Sequence, residues 1–286
     1  MTSPLRSFLP LALMLAALAG CRPPAESAGE AERSAANRLE GRLLLSGSST
    51  VAPLVSEIAA RFEAMHPGVR IDIQTGGSGK GIADVRAAQA DIGMTSRPLK
   101  EDEQDLVAHR LATDGVALIV QASNPIPELT RQQVIDIYTG AIDDWSRLGG
   151  AALPIQVVHK AEGRATLEVF LAHFEIDNTA IRPDVIVGEN AQAILAVAGS
   201  PGAIGYVSIG SAETEARLGA AIRLLPLDGI PATSDEVAAE RFPMSRSLNL
   251  VVTSEPSPLA LAFIDYARSE AVHDLVREAY FVPSTR

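Results

Sequence analysis

The chain reads as an α/β protein with a parallel-type sheet whose strand ends carry ligand-binding loops. Three observations predict this. Short apolar strands alternate with amphipathic helices from Arg42 onward, the order that builds parallel α/β sheets with ligands at the strands' carboxyl ends. Hydroxyl-rich, small-residue loops recur where a strand hands over to a helix, at Ser48-Ser49-Thr50, Gly76-Gly77-Ser78-Gly79 and Gly163-Arg164-Ala165-Thr166. Hydrophobic residues make up 47% of the 286, enough for a large core in one domain or two.

Residues 42–45 form the first apolar strand. The stripe Leu54, Ile58, Phe62 and Met65, thickened by Val55 and Ala59, predicts a helix with Pro53 in its first turn and Pro67-Gly68 as its stop. Residues 69–74 alternate as a strand, and after the glycine loop Ile82, Val85 and Ala88 mark a short helix. Residues 90–94 are the next strand, and 114–120 are a continuous apolar one broken by Asn124-Pro125. Thr130 is a natural N-cap for a helix over 129–138, and Thr139-Gly140 ends it. The lone Trp145 reads as a packing residue. A strand over 154–158 leads into a loop, 159–166, and a helix with Leu167, Phe170, Leu171 and Phe174 inward. Later come a helix over 193–198, strands over 203–208 and 248–252, and helices over 258–266 and 271–279.

The stretch from Thr75 to Leu99 carries the most chemistry. Glycines let backbone N–H groups approach a ligand closely, and the helix N-terminus behind them carries partial positive charge. Ser78, with Ser96 and Arg97 at the end of the following strand, adds donors, so the stretch reads as half of an anion cradle. A tight turn is the plainer reading of the glycines. A nucleotide P-loop fails, because Gln74 and Gly81 stand where Gly and Ser or Thr are required. A catalytic Ser78/Lys80 pair rests on two residues of one loop only. In the loop over 159–166, Lys160, Arg164 and Thr166 repeat the pattern with cations, a Lys160–Glu162 surface pair being the plainer alternative.

The net charge of −11 argues against a nucleic-acid partner but not against a small anion, which depends on local donors. Five scattered histidines have no metal-ligand spacing, and no metal or cofactor is expected. Arg6, the apolar run 8–18 and Leu18-Ala19-Gly20-Cys21 form a basic start, a short apolar centre and small residues at a cut site. The last four residues resemble a bacterial lipobox, which makes residues 1–20 a signal peptide and Cys21 the lipidated new N-terminus. Residues 21–40, rich in Pro, Ala, Ser and Glu, read as a disordered tether.

From Leu43 to Pro283 the sequence resembles the substrate-binding lipoproteins of bacterial high-affinity phosphate ABC transporters. The landmarks are Gly47-Ser48-Ser49-Thr50-Val51-Ala52-Pro53-Leu54, the Gly-Gly-Ser-Gly loop with Gly81-Ile82, Ala90-Asp91-Ile92-Gly93, Ser96-Arg97, Asp114-Gly115-Val116-Ala117, the helix up to Tyr138 with Gly140 and Trp145, and the Pro201–Val207 run. The resemblance implies a two-lobed periplasmic-binding-protein fold of type II with a ligand cleft between lobes. Residues 41–116 and 246–286 would form one lobe and 117–245 the other, with crossings near 115–120 and 242–252. It further implies inorganic phosphate, or a similar tetrahedral oxyanion, held by Ser49, Thr50, Ser78, Ser96, Arg97, Lys160, Arg164 and Thr166. The protein would be exported, lipid-anchored in the periplasm or at the cell surface, monomeric, non-enzymatic and partnered by ABC permease subunits.

The loop over 160–167 departs from the family's pattern, which places Arg, then Gly-Ser-Gly-Thr-Arg. Here Lys160 replaces the first Arg, Arg164 the Ser, Ala165 the second Gly and Leu167 the last Arg. Some members carry an Asp where Arg97 stands, an acceptor for protonated phosphate, so its absence implies narrower discrimination against sulfate. A phosphate-ester hydrolase using the same cleft is the alternative from another class, though no metal cluster, nucleophile elbow or triad is evident. An oxyanion sensor without its own permease is a third reading.

Overall fold

A computed structural model describes residues 39–284. The expected signal peptide, Cys21 and the tether up to residue 38 lie outside the described residues. The chain order is β1 (Glu40–Gly47), α1 (Ala52–Met65), β2 (Gly68–Thr75), α2 (Ser78–Arg86), β3 (Ile92–Thr95), β4 (Val107–Gln121), α3 (Arg131–Tyr138), β5 (Gln156–Lys160), α4 (Ala165–Phe174), β6 (Val185–Val187), α5 (Asn190–Ala198), β7 (Ala203–Ser208), α6 (Ile209–Arg217), β8 (Ile222–Leu224), α7 (Ser234–Ala238), β9 (Ser245–Val252), α8 (Pro258–Ala267), α9 (His273–Glu278) and β10 (Val282–Pro283). The α/β class is as expected.

The sheet runs β2-β1-β3-β9-β4-β7-β5-β6, with β8 and β10 also paired to β4. It is mixed, which corrects the parallel expectation. β1 pairs in parallel with β2 and β3, and β5 with β6 and β7. β4 and β9 run antiparallel to their neighbours and to each other. The physical reason is the length of β4. Its apolar run is legible in the sequence, but the strand begins seven residues earlier at Val107, in a stretch where exposed Val107, Ala108 and Arg110 and half-buried His109 break the pattern. One long strand can then leave one half of the molecule and enter the other.

The apolar residues divide accordingly, into two principal cores and two smaller clusters, one around Ile119, Val158 and Val207 and one around Ile82, Val85 and Val251. Leu43, Leu45, Val55, Phe62, Ile92, Leu111, Leu250 and Phe263 belong to a first core. Val116, Leu118, Tyr138, Trp145, Phe170, Ile204, Tyr206 and Met244 belong to a second. The start of β4 lies in the first core and its end in the second; β9 begins just past Met244 and carries the chain back. Local signals hold where expected. Thr130 caps α3 by accepting from Gln133 N, and the Gln133 side chain accepts from Thr130 N in return. Trp145 is buried and donates to the Gly202 carbonyl, 2.9 Å away.

Candidate functional site

The ends of β1 and β3 are locked together first. Gly47 sits at φ +136°, and a Cβ there would lie 2.2 Å from the Met94 carbonyl oxygen, so only glycine fits. Its carbonyl accepts from both Gly76 N and Gly77 N at 2.9 Å. This corrects the expected role of the glycine loop. Those two N–H groups dock the loop onto β1 and are not free for a ligand. Gly79 N reaches across to the Gly163 carbonyl at 3.2 Å, joining the loop to the one before α4. Ser78, buried at the start of α2, accepts from Ser96 N at 3.0 Å and retains its O–H for donation.

Arg246, at the start of β9, is the residue that sequence reasoning missed. It is buried beside Asp114 of β4, which stands opposite it in the strand register. Arg246 Nε and Nη2 donate to Asp114 Oδ2 at 3.1 and 2.8 Å. The guanidinium also donates from Nη1 to Thr166 Oγ1 at 2.9 Å and from Nη2 to Thr50 Oγ1 at 3.1 Å. Thr50 comes from the loop before α1 and Thr166 from the first turn of α4, so two expected site residues meet at one unexpected cation. The only sequence signal for Asp114 is its place in the Asp-Gly-Val-Ala landmark.

Asn190, the first residue of α5, extends the cluster. Its Nδ2 donates to Thr50 Oγ1 at 3.0 Å, and its Oδ1 accepts from Lys160 Nζ at 3.3 Å. Lys160 ends β5 instead of lying in a loop. Its Nζ donates to the Glu189 carbonyl at 2.9 Å, not to Glu162 as in the plainer sequence reading. Burial, reinforced by the neighbouring Arg246 charge, pushes the Lys160 ammonium down to about 7. Its backbone is fixed from behind. Lys160 N donates to the Tyr206 hydroxyl, which donates to His159 Nδ1, while His159 Nε2 donates to Asn178 Oδ1. The Tyr206 ring stacks on Phe170 with centroids 4.1 Å apart.

Arg164 stands at the N-cap of α4, two residues before Thr166. Its Nη1 pairs with Glu189 Oε1 at 2.6 Å, not with Glu162. The chain of Arg164 lies so close over Gly77 that a Cβ there would meet its Cδ at 2.9 Å. Arg97 is placed differently. Its guanidinium forms a paired fork on Glu103, at 2.6 and 2.8 Å, and its Nε lies 2.9 Å from Glu168 Oε2, which also pairs with Lys100. Glu103 thus takes a hydrogen bond from each terminal nitrogen of the guanidinium, while the buried Nε faces Glu168 without a hydrogen bond among the described residues. Ser49 lines an adjoining, mostly apolar recess of about 340 Å³ that touches the cluster at Thr50 and Asn190. The structure thus gathers Thr50, Lys160 and Thr166 through Arg246 and Asn190, joins Ser78 to the Ser96 backbone and Arg164 to Glu189, leaves Ser49 on the adjoining recess, and turns Arg97 to Glu103.

An α/β chain with two principal cores, and with hydroxyls and buried cations of both halves converging at Arg246 and Asn190, has the architecture of the two-lobed solute-binding proteins. The chain belongs to the PBP superfamily: the family model described as PBP superfamily domain matches residues 26–271. It is 28% identical over 288 residues to the phosphate-binding protein PstS of Bacillus subtilis, an alignment covering 97% of this chain and 94% of that protein. A crystal structure of a putative phosphate ABC transporter substrate-binding protein from Clostridium perfringens, with bound phosphate, superposes with a TM-score of 0.80 at 30% identity. That likeness covers 86% of this chain and all of the other. An ABC-type phosphate transport receptor from Vibrio cholerae gives 0.70 at 28% identity, covering 85% of this chain and all of that one. Among the described residues no helix is long and apolar enough to cross a membrane.

Proposed function

We propose that this chain is an extracytoplasmic solute-binding protein that captures inorganic phosphate between its two halves and delivers it to the permease of an ABC transporter. One observation carries the reading: hydroxyls from the first and second halves, Thr50 and Thr166, converge on a buried cation beside the buried Lys160 ammonium. Such a set suits a small, dehydrated oxyanion, which needs many donors at short range. The relatives, named for phosphate binding or solved with phosphate, support the choice of ligand.

The ligand set is Thr50, Ser78, Lys160 and Thr166, with Ser49, Ser96 and Arg164 at its edge and Arg97 supporting from behind. Residues 41–116 with the stretch from 246 onward form one lobe and 117–245 the other, joined through β4 and β9; the two principal cores divide close to that line, with Val116 already packed in the second. The protein acts as a monomer, binds and releases its ligand without catalysis, and is held to a membrane by lipid on Cys21. With no carboxylate at position 97, discrimination between phosphate and sulfate is narrower than in relatives that carry one.

Calorimetric titration with phosphate, arsenate, sulfate and molybdate tests the ligand. Phosphate at about 100 times its dissociation constant should stabilise the protein by roughly 2.7 kcal/mol. Silence with every tetrahedral oxyanion would remove the reading. Mass spectrometry of the native protein tests the anchor: residues 1–20 should be gone and Cys21 should carry a diacylglyceryl group.

A further inference from the structure

We propose that Arg246, held by Asp114, is a positioning residue that makes Thr50 and Thr166 obligate donors toward the bound anion and ties that state to closure of the two halves. The inference rests on the phosphate reading above.

A threonine hydroxyl offers one hydrogen to donate and two lone pairs to accept with. Left alone it can rotate and serve either way. Thr50 Oγ1 accepts from Arg246 Nη2 at 3.1 Å and from Asn190 Nδ2 at 3.0 Å. Both lone pairs are filled, so its remaining capacity is the O–H. Thr166 Oγ1 accepts from Arg246 Nη1 at 2.9 Å. Arginine can only donate, so neither threonine can direct its hydrogen at the guanidinium. Both hydrogens are left for an acceptor, which an oxyanion is.

Asp114 holds the fork in place. Its Oδ2 takes Arg246 Nε and Nη2, and its Oδ1 accepts from Gly210 N at 3.3 Å. The pair is sealed, with side-chain exposures of 1% and 0%. Buried ion pairs are weak contributors to stability, since an apolar pair of similar volume often serves as well. A positioning role accounts for charge at this place better than a stabilising one. The location adds a second consequence. Asp114 and Arg246 face each other in β4 and β9, the strands that pass between the two cores. Thr50 arrives from one side of that crossing and Thr166 from the other. One guanidinium can hold both hydroxyls only while the halves are together, so closing completes the donor set.

The test is a cycle of phosphate titrations on the wild type, Arg246→Met/Asp114→Leu, Thr50→Val/Thr166→Val, and the combination of all four changes. Melting temperatures accompany each titration. Replacing both members of the ion pair avoids an unpaired buried charge. Each double variant should weaken phosphate roughly ten- to a hundredfold. The combination should be no weaker than the threonine variant to within about twofold, because Arg246 would act through those hydroxyls. Multiplied losses in the combination would overturn the proposal, since Arg246 would then act on its own. Arg246→Lys keeps the charge beside Asp114 but cannot fork to two threonines; run through the same cycle, it supplies the same comparison if the apolar pair fails to fold. Thr50→Ser/Thr166→Ser retains both hydroxyls and should bind within a few-fold of the wild type. A wild type that binds phosphate, with an unaffected Thr50→Val/Thr166→Val variant, would end this proposal and leave the phosphate reading standing. A wild type that binds no tetrahedral oxyanion would end both.

Discussion

Replacing Lys160 by methionine should abolish a proton uptake that accompanies phosphate binding. The wild-type ammonium is buried, donates to the Glu189 carbonyl and Asn190, and has a third N–H left. Burial lowers its pKa from an ordinary 10.5 to about 7, so holding the charge there costs about 5 kcal/mol. An anion about 4 Å away returns about 4 kcal/mol per unit of its charge at an effective dielectric of ~20. A bound dianion therefore restores the proton. At about pH 8.5 free phosphate is already the dianion, while Lys160 in the empty protein is largely neutral. Binding should then draw in close to one proton, and affinity should fall about tenfold per pH unit above 7. Calorimetry in two buffers of different ionisation enthalpy reads the uptake directly. In Lys160→Met the buffer-dependent heat should vanish. At about pH 6, where the ammonium is charged, that variant should bind phosphate more weakly by about 1.5–3 kcal/mol; near pH 9 the two proteins should converge. Equal heats in both buffers for the wild type, or an unchanged pH slope in the variant, would refute the reasoning. The same lowered pKa predicts that the ligand-free protein gains stability as pH rises from about 7 toward 10, because only the unfolded chain then keeps the proton.

Arg164→Ser should strip the partner from the Glu189 carboxylate at the cluster's edge, weakening phosphate by about 1.5–3 kcal/mol in a titration. Adding Glu189→Ser should recover at least half of the loss, and unchanged affinity in the single variant would place Arg164 outside the site. Arg97→Ala should chiefly cost stability, about 3–5 kcal/mol by denaturant unfolding, because it leaves the buried Glu103 carboxylate unpaired. Arg97 holds the Glu103 carboxyl below its ordinary range. The stability from that pair is fully present above the unfolded glutamate value and is lost as pH falls through the lowered one, so the acid-unfolding midpoint should rise in the variant.

The sequence alone settled what depends on near neighbours. Hydroxyl and glycine loops between strand and helix marked Thr50, Ser78 and Thr166, because a helix start after a strand places such residues at one sheet edge whatever the rest of the chain does. Caps, prolines and apolar stripes placed most helices for the same reason. Tertiary structure decided the rest. Arg246 stands 132 residues from Asp114 and 196 from Thr50, a separation at which nothing local marks the contact. The depressed Lys160 pKa comes from burial and a distant guanidinium, and neither is written beside residue 160. Gly76 and Gly77 do permit a close approach, but the partner is the Gly47 carbonyl and not a ligand. Arg97 shows the same limit from the other side. Its charge is plain in the sequence, while its direction is set by Glu103 and Glu168, because a buried guanidinium takes the carboxylates that folding brings to it.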